Sequence, residues 1–304
     1  MKALLPLPSM IQRNTHIKAT IRLYYRLTKP GIIYGNLITV IAGFIFASMN
    51  GFDFGLFLAT VVGVALVIAA GCVINNVTDR HIDAKMDRTK NRAIVAGIIS
   101  VKAALIYGTI LGLAGMVVLA VCTNYLVVLI GIIGFIDYVV LYAIAKRKSV
   151  YSTFVGTVSG AAPLVAGYVA VTGSFDIGAL LLFLVMLWWQ MAHFYAIAIF
   201  RMRDYKAASI PVLSVVKGIQ ITKRQIIVYI VLFTFTVAAM PLFGYGGYVF
   251  GIVMTAVGLC WLYISLQGLH QQLAAAKWAK KVFRFSLIVL LALSVMLSLT
   301  NLLP

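Results

Sequence analysis

The sequence predicts an all-α, polytopic membrane protein in which about nine transmembrane helices surround a central cavity. Of its 304 residues, 63% are hydrophobic, only 11% are charged, and the mean hydropathy is +1.05. A soluble domain does not need so much apolar surface, and a helix that crosses a bilayer takes about 20 apolar residues. The chain therefore has the length for roughly nine spans joined by short loops.

Nine apolar segments have the length of a transmembrane helix. We expect these helices at about residues 31–49, 55–78, 103–121, 126–145, 150–172, 177–200, 225–243, 248–266 and 285–303. Residues 1–27 are basic and precede the first span, so they form a separate cytoplasmic segment that either lies against anionic headgroups or is a disordered tail. Residues 28–304 form the membrane domain.

All 25 lysines and arginines fall on one side of the predicted bundle. The turns at the opposite end carry none of them. Under the positive-inside rule, the basic side faces the cytoplasm, which places the N-terminus inside and, after nine spans, the C-terminus outside. The net charge of +18 thus reflects topology, because no water-exposed domain remains on which it would bind nucleic acid. The basic segments are residues 1–30, 79–102, 146–148, 201–224 and 267–284.

The aspartates point to a site on the basic side. The chain has no glutamate, and Asp79, Asp83 and Asp87 follow Asn75 at intervals of four residues. If the helix continues through them, they lie on one face, about 6 Å apart, and each like-charge pair costs about 0.2–0.5 kcal/mol. A solvated helix end is one interpretation. The other is Mg²⁺, which binds a few protein carboxylates together with water and substrate phosphates.

Basic residues near the aspartates suit a diphosphate. Arg88 and Arg92 lie one turn apart just beyond the motif, and guanidinium groups bind phosphate oxygens bidentately. A second basic loop contains Asp204 and Tyr205. Taken alone, one aspartate among basic residues more often forms a local salt bridge than a ligand. We therefore predict a Mg-diphosphate site at the cytoplasmic end of the bundle, with Asp204 as an additional candidate.

Several motifs resemble the UbiA-type membrane prenyltransferases. The first is Asn75-xxx-Asp79-xxx-Asp83, followed by Arg88-Thr89 and Arg92. The likeness covers about residues 27–300, and other segments resemble, more narrowly, the haem-farnesylating branch of that family. These segments are residues 27–31 (LTKPG), 71–76 (GCVINN), Tyr151 with residues 159–163 (SGAAP), 189–193 (WQMAH) and 195–216.

The resemblance implies a reaction and a location. The reaction is transfer of the farnesyl group of farnesyl diphosphate to a vinyl group of haem b, with addition of water and release of pyrophosphate. The implied cofactor is Mg²⁺, and the implied location is the bacterial inner membrane, with the active site open to the cytoplasm. A functional link to haem A synthase or a terminal oxidase is also implied.

The resemblance also implies roles for individual residues. Asp79, Asp83 and Asp204 are the catalytic candidates, and the metal ligands are Asn75, Asp79, Asp83 and, more weakly, Asp87. The presence of Lys146 and Arg147, which precede Lys148, is explained equally well by the positive-inside rule as by phosphate binding. The diphosphate-binding candidates are Arg88, Arg92, Lys146, Arg147 and Tyr205, and the haem-binding candidates are His193, Trp189 and Tyr195.

Two polar residues inside predicted spans need an explanation. His193 is the only histidine within a span, and an intramembrane imidazole is costly unless it has a partner. It either contacts haem, where it is a possible iron ligand, or forms a hydrogen bond between helices. Asp137 lies near the middle of the fourth span, where insertion costs about 2.5–3.5 kcal/mol. The resemblance supplies no role for it; it lines the cavity, pairs with a polar group of another helix or is protonated.

Two other functions stay open at this point. A prenyltransferase of the same fold that acts on an aromatic acceptor such as hydroxybenzoate needs the same diphosphate site, although His193 and residues 195–216 argue against it. A membrane ion or solute transporter also carries intramembrane aspartate and histidine. A transporter places them at the bilayer midplane, however, whereas most acids here cluster at the cytoplasmic ends of helices.

Overall fold

The protein, seen as a computed structural model, is described for residues 10–270 and 275–303. Within these residues, nine helices are long and apolar enough to cross a membrane, and every regular element is helical. The prediction of an all-α membrane bundle is therefore confirmed. The central cavity and the orientation of the termini stay predictions, and residues 1–9 of the basic N-terminal segment lie outside the described residues.

Most helices follow one another with short connections, whereas residues 84–100 form a longer connection between α4 and α5. A π-helix, Asp137–Leu141, joins α6 to α7, so that Tyr125–Lys148 forms a single span. The helices are α1 Met10–Leu27, α2 Pro30–Ala47, α3 Phe54–Thr78, α4 Arg80–Asp83, α5 Val101–Cys122, α6 Tyr125–Ile136, α7 Tyr142–Lys148, α8 Ser152–Thr172, α9 Ile177–Phe200, α10 Met202–Ala207, α11 Leu213–Val216, α12 Ile219–Ala239, α13 Gly247–His270 and α14 Ala275–Leu299.

Two transmembrane helices begin earlier than the sequence pattern indicates. Helix α12 begins at Ile219 instead of residue 225, and α14 begins at Ala275 instead of residue 285. Both early turns contain lysine and arginine, which lower the hydropathy of a segment but are good helix formers. The exposed ones, such as Arg224 and Lys277, also let a helix continue through the headgroup region, because their charged ends reach water. The charged residues therefore indicate the headgroup region and not the residue at which each helix begins.

Helices α2 and α8 approach each other through glycine. A Cβ atom added to Gly43 would lie 2.1 Å from the Leu164 carbonyl oxygen, and one added to Gly167 would lie 2.2 Å from the Val40 carbonyl oxygen. Small residues at such crossings let helix backbones pack closely inside a membrane, where van der Waals contact drives association. This contact holds α2 against α8, and α2 also packs on α3 and α14.

We expect Gly43→Ala to destabilise the protein by about 1–3 kcal/mol, because a methyl group would overlap a backbone oxygen that cannot move without shifting α8. Gly35 lies in the same helix and has open space where a Cβ would be, so Gly35→Ala is the matched control. Thermal unfolding of both variants in detergent measures the difference. Equal melting temperatures for the two variants would contradict the close α2–α8 contact.

Three aspartates outside the first motif have structural partners. Asp53 and Asp176 cap α3 and α9, accepting hydrogen bonds from the backbone N–H groups of Leu56 and Ala179, both at 2.9 Å. N-terminal capping by aspartate satisfies backbone donors that the helix leaves unpaired. Asp137 is buried, and its Oδ2 accepts a hydrogen bond from the backbone N–H of Ser159 in α8 at 3.0 Å. It thus pairs with a polar group of another helix.

Candidate active site

The first aspartate motif lies where α3 ends. Asp79 follows the last residue of α3, and its backbone N–H donates to the Asn75 carbonyl at 2.9 Å. The Asp83 N–H donates in turn to the Asp79 carbonyl at 2.8 Å, so helical bonding continues from Asn75 to Asp83. The three residues are buried. Because they are four residues apart, the three side chains therefore lie along one continuous run of helical hydrogen bonds.

Asp79 is surrounded by donors from two helices. Its Oδ2 accepts from the Lys146 ammonium at 2.7 Å and from the Asn75 side-chain amide at 3.1 Å. Its Oδ1 accepts from the Arg147 guanidinium at 3.2 Å, while the same guanidinium donates to the Thr78 carbonyl at 2.7 Å. The carboxylate is 2% exposed. Lys146 and Arg147 therefore face the aspartate motif directly, which a role as topology anchors does not require.

Asp83 has a separate cationic partner. Its Oδ2 accepts from the Arg92 guanidinium at 2.5 Å, and its carboxylate is 3% exposed while Arg92 is 27% exposed. The Thr89 hydroxyl donates to the Asp83 carbonyl at 2.9 Å, which fixes the loop that carries Arg92. Arg92, one of the predicted phosphate donors, is therefore next to the buried carboxylate, whereas Arg88 is exposed.

The structure corrects the expectation that the helix continues through Asp87. Helix α4 ends at Asp83, and the chain then runs through turns instead of a further helical turn. The Asp87 side chain is 89% exposed and pairs with Lys90 at 2.8 Å, a contact that lowers the pKa of Asp87 through its hydrogen bond and charge. Asp87 therefore lies outside the buried cluster, and the ladder has three members instead of four.

Lys29, which was not among the site residues predicted from the sequence, lies at the site. Its ammonium donates to the Asn75 side-chain oxygen at 2.5 Å, and it precedes α2 in the left-handed region, with φ of 53°. Burial is the main cause that lowers the pKa of Lys29 to about 8; nearby Arg92 contributes to the lowering, whereas Asp83 and Asp79 oppose it. The available signal was a lysine immediately before the proline that begins the first span.

The second basic loop packs against the first. Tyr205 lies in an apolar cluster with Met86 and Ile82 of the first loop. Burial raises the pKa of Tyr205 to about 12; Tyr142 and Asp204 add to the rise, and Lys146 and Arg88 oppose it. Asp204 pairs within its own loop, with Arg201 at 3.8 Å. Tyr205 is therefore brought to the aspartate motif, whereas Asp204 forms the local salt bridge.

His193 forms part of an aromatic group between α9 and α14. Its Nδ1 lies 2.7 Å from the Ser286 hydroxyl, and its ring stacks on Trp189 with centroids 4.7 Å apart. The Trp189 indole N–H donates to the Ser286 carbonyl at 2.8 Å. Tyr195 is buried on the same helix and packs edge-on against Tyr229. The hydrogen bond between helices that was one interpretation of His193 is therefore present.

Sequence comparison now identifies the family. The model of the UbiA prenyltransferase family matches residues 36–293, most of the chain. The chain belongs to the UbiA prenyltransferase family. Protoheme IX farnesyltransferase from Pectobacterium atrosepticum is 51% identical over 285 residues, which cover 93% of this chain and 96% of that protein. The protein of the same name from Yersinia pseudotuberculosis is 52% identical over 279 residues, which cover 91% of this chain and 94% of its own length.

Solved UbiA structures share the fold. A UbiA homolog from Archaeoglobus fulgidus bound to GPP and Mg²⁺ has a TM-score of 0.70 at 16% identity, covering 91% of this chain and 99% of that one. The apo structure of a UbiA homolog from Aeropyrum pernix K1 has a TM-score of 0.67 at 16% identity, covering 88% and 96%. These two structures establish the fold, whereas the family model and the two relatives confirm the predicted membrane prenyltransferase as an enzyme class.

The donor set of this UbiA member fits a magnesium ion that arrives with a phosphate ligand. Two buried carboxylates, Asp79 and Asp83, and the Asn75 amide oxygen are hard ligands. In the part of the chain that the structure describes, no three acidic, histidine or cysteine side chains converge as a metal site. Mg²⁺ typically binds proteins through one or two carboxylates and takes its other ligands from water and substrate phosphates. The set therefore fits Mg-diphosphate better than a resident ion.

Proposed function

We propose that this UbiA prenyltransferase transfers the farnesyl group of farnesyl diphosphate to a vinyl group of haem b. Water is added in the same reaction and pyrophosphate is released. The relatives named protoheme IX farnesyltransferase, at 51% and 52% identity over more than nine tenths of the chain, support this acceptor and donor. The enzyme is an integral membrane protein, and we propose that it lies in the bacterial cytoplasmic membrane with the aspartate site on the cytoplasmic side, where its basic loops belong.

The observation that carries the diphosphate assignment is an excess of positive charge around two buried carboxylates. Lys29, Arg92, Lys146 and Arg147 all bond to Asn75, Asp79 or Asp83. Four cations thus face two carboxylates. Buried charges need compensation, and a diphosphate supplies the missing negative charge with oxygens that suit lysine and arginine.

The reaction needs this charge because the bond between the farnesyl carbon and the diphosphate oxygen breaks with both electrons on the oxygen. Cations aimed at the leaving group stabilise the charge that develops there. In this chain Lys146, Arg147 and Arg92 are the donors, and Asn75, Asp79 and Asp83 would hold Mg²⁺. When bound, Mg²⁺ neutralises the departing pyrophosphate as a Lewis acid.

The other half of the reaction is electron donation by the haem vinyl group. Its π electrons form the new carbon–carbon bond to the farnesyl carbon, and the positive charge moves to the vinyl carbon next to the porphyrin. Water adds there and releases one proton, which balances the reaction. We place the haem beside the aromatic group of His193, Trp189 and Tyr195, because a buried aromatic surface suits a flat, apolar ring system.

Purified protein incubated with farnesyl diphosphate, haem b and Mg²⁺ tests the proposal. We expect a haem product that is heavier by one farnesyl group and one hydroxyl group and that elutes later in reversed-phase chromatography. Omitting Mg²⁺ should abolish the product. Prenylation of hydroxybenzoate instead of haem would favour the aromatic-acceptor enzyme. Failure to form a covalent product from either acceptor would contradict the proposed donor and acceptor. A partnership with haem A synthase or a terminal oxidase is a separate proposal, which co-purification tests.

His193→Ala is expected to weaken haem b binding about 10- to 100-fold, because the imidazole that would face the iron is removed. The absorbance difference spectrum on haem addition measures this affinity. Ser286→Ala keeps the imidazole but removes its hydrogen-bond partner, so the loss should be smaller. An unchanged Soret band and affinity in His193→Ala would reject haem ligation and leave the hydrogen bond to α14 as the whole role of His193.

A further inference from the structure

Four basic residues at the beginning of α14 form a group apart from the aspartate site. Lys277, Lys280, Lys281 and Arg284 are all exposed within the first three turns. The sequence contains no aspartate or glutamate after Asp204, so the last hundred residues hold no acid to pair with them. Their charges need an external partner, or remain solvated.

The placement of these charges on α14 is electrostatically unfavourable without an anion. Lys277 is three residues from Lys280 and four from Lys281, and Arg284 stands in the same relation to Lys281 and Lys280. Side chains at these spacings are neighbours on a helix surface, and like charges there repel. The N-terminal end of a helix is also the positive end of its dipole, which disfavours cations and favours anions. A negatively charged group at this position would relieve both effects.

The basic residues line one groove together with apolar side chains. The groove has a volume of about 450 Å³ and lies between α13 and α14. Lys281 is directed across it, since its ammonium donates to the Gln267 side-chain oxygen of α13 at 3.2 Å. The remaining lining is apolar and comes from Ile264, Phe285 and Ile288. The groove is therefore cationic towards the beginning of α14 and apolar further into the span.

The basic residues extend along α14 over a length slightly greater than the thickness of the headgroup region. Lys277 and Arg284 are seven residues apart, which is about 10 Å along a helix. The headgroup region on each side of a bilayer is about 5–8 Å thick. Ile288 follows Arg284 by one turn and is exposed, so it lies further into the span than the four basic residues.

We propose that this groove binds an anionic phospholipid of the surrounding membrane. The lipid phosphate lies among Lys277, Lys280, Lys281 and Arg284, and an acyl chain lies along Phe285 and Ile288. A soluble anion would use the cationic half alone, and a neutral lipid would leave the cations unpaired. An anionic phospholipid uses both halves. The proposal does not rest on the prenyl-transfer function.

Native mass spectrometry of the full-length protein in neutral detergent tests the proposal. The protein is titrated with phosphatidylglycerol, with phosphatidylcholine of the same acyl chains, and with inorganic phosphate. We expect phosphatidylglycerol to bind at least tenfold more tightly than phosphatidylcholine. Each lysine or arginine near an anionic surface contributes about fivefold in affinity, so Lys280→Gln/Lys281→Gln should weaken phosphatidylglycerol binding about 10- to 30-fold. Phosphatidylcholine binding should not change.

The matched control is Lys217→Gln/Arg224→Gln, which removes two exposed cations from the same end of the bundle outside the groove. It should leave the preference for phosphatidylglycerol intact. Equal losses in the two double variants would mean diffuse surface attraction and would overturn the site. Binding of both lipids with equal affinity to the unaltered protein would also overturn it, as would full displacement of the lipid by millimolar phosphate. If the double variant does not stay folded, Lys280→Gln alone provides the same comparison, with an expected loss of about fivefold in affinity for phosphatidylglycerol.

Discussion

Asp79→Asn and Asp83→Asn are each expected to lower the rate of farnesyl transfer at least about 100-fold while the protein remains inserted and folded. Asparagine has nearly the same size, but it lacks the negative charge that a metal ligand supplies. It also leaves Lys146 and Arg147, or Arg92, without the carboxylate that they contact. Because each carboxylate would hold the Mg²⁺ that arrives with the diphosphate, the turnover number should fall and the Mg²⁺ concentration needed for half-maximal activity should rise.

The measurement is steady-state product formation in detergent or proteoliposomes over a range of Mg²⁺ and farnesyl diphosphate concentrations. Asp87→Asn is the matched control because it makes the same change four residues further along the chain, at a side chain that is 89% exposed. It should stay within about twofold of the unaltered enzyme, as is usual for surface substitutions. Near-normal turnover of both Asp79→Asn and Asp83→Asn would remove these residues from the metal site.

Lys29→Gly is expected to reduce activity about 10- to 100-fold without lowering the stability of the protein. The ammonium group of Lys29 contacts the Asn75 side-chain oxygen, and Asn75 in turn donates to Asp79. Groups that orient a metal ligand in this way typically contribute 10- to 100-fold in metal affinity or activity. Glycine suits the left-handed backbone at this position, with φ of 53°, so the substitution removes the side chain without adding strain.

A second variant separates the side chain from the backbone. Lys29→Met retains the length of the side chain and the strained backbone but loses the charge. If the ammonium matters, both variants lose activity, and the apparent Kd for Mg²⁺-diphosphate rises in both. Normal activity in both variants would mean that the ammonium group of Lys29 is not required for the reaction.

The transmembrane helices were predictable because burial in lipid requires long apolar segments and satisfied backbone hydrogen bonds. The ends of α12 and α14 were not, since Lys223, Lys277 and Arg284 fit both a loop and the first turns of a helix in the headgroup region. Lys223 is even buried, donating to the Gly268 carbonyl at 2.7 Å. The hydropathy of a segment does not distinguish a loop from the first turns of a helix, because it depends on the side chain itself and not on the group that the side chain contacts.

Within the site, local spacing was informative only as far as the helix continued. Asn75, Asp79 and Asp83 share one stretch of helical bonding, as the interval of four indicates, whereas Asp87 at the same interval lies beyond the end of α4. The residues that follow Asp83 adopt turns, with the Thr89 hydroxyl bonded to the Asp83 carbonyl. These turns direct Arg92 towards the buried carboxylate of Asp83 and Asp87 towards solvent.

The sequence by itself determined that this chain lies in a membrane, that its lysines and arginines fall on one side of the predicted bundle, and that carboxylate and amide side chains recur at intervals of four where one span ends. These properties depend on composition and on helical spacing, which act over a few residues. Only the tertiary structure decided which cations face Asp79 and Asn75: Lys146 is 67 residues from Asp79, and Lys29 is 46 residues from Asn75. Such pairs form when separate helices pack, and packing depends on contacts such as Gly43 against Leu164 that no local pattern encodes.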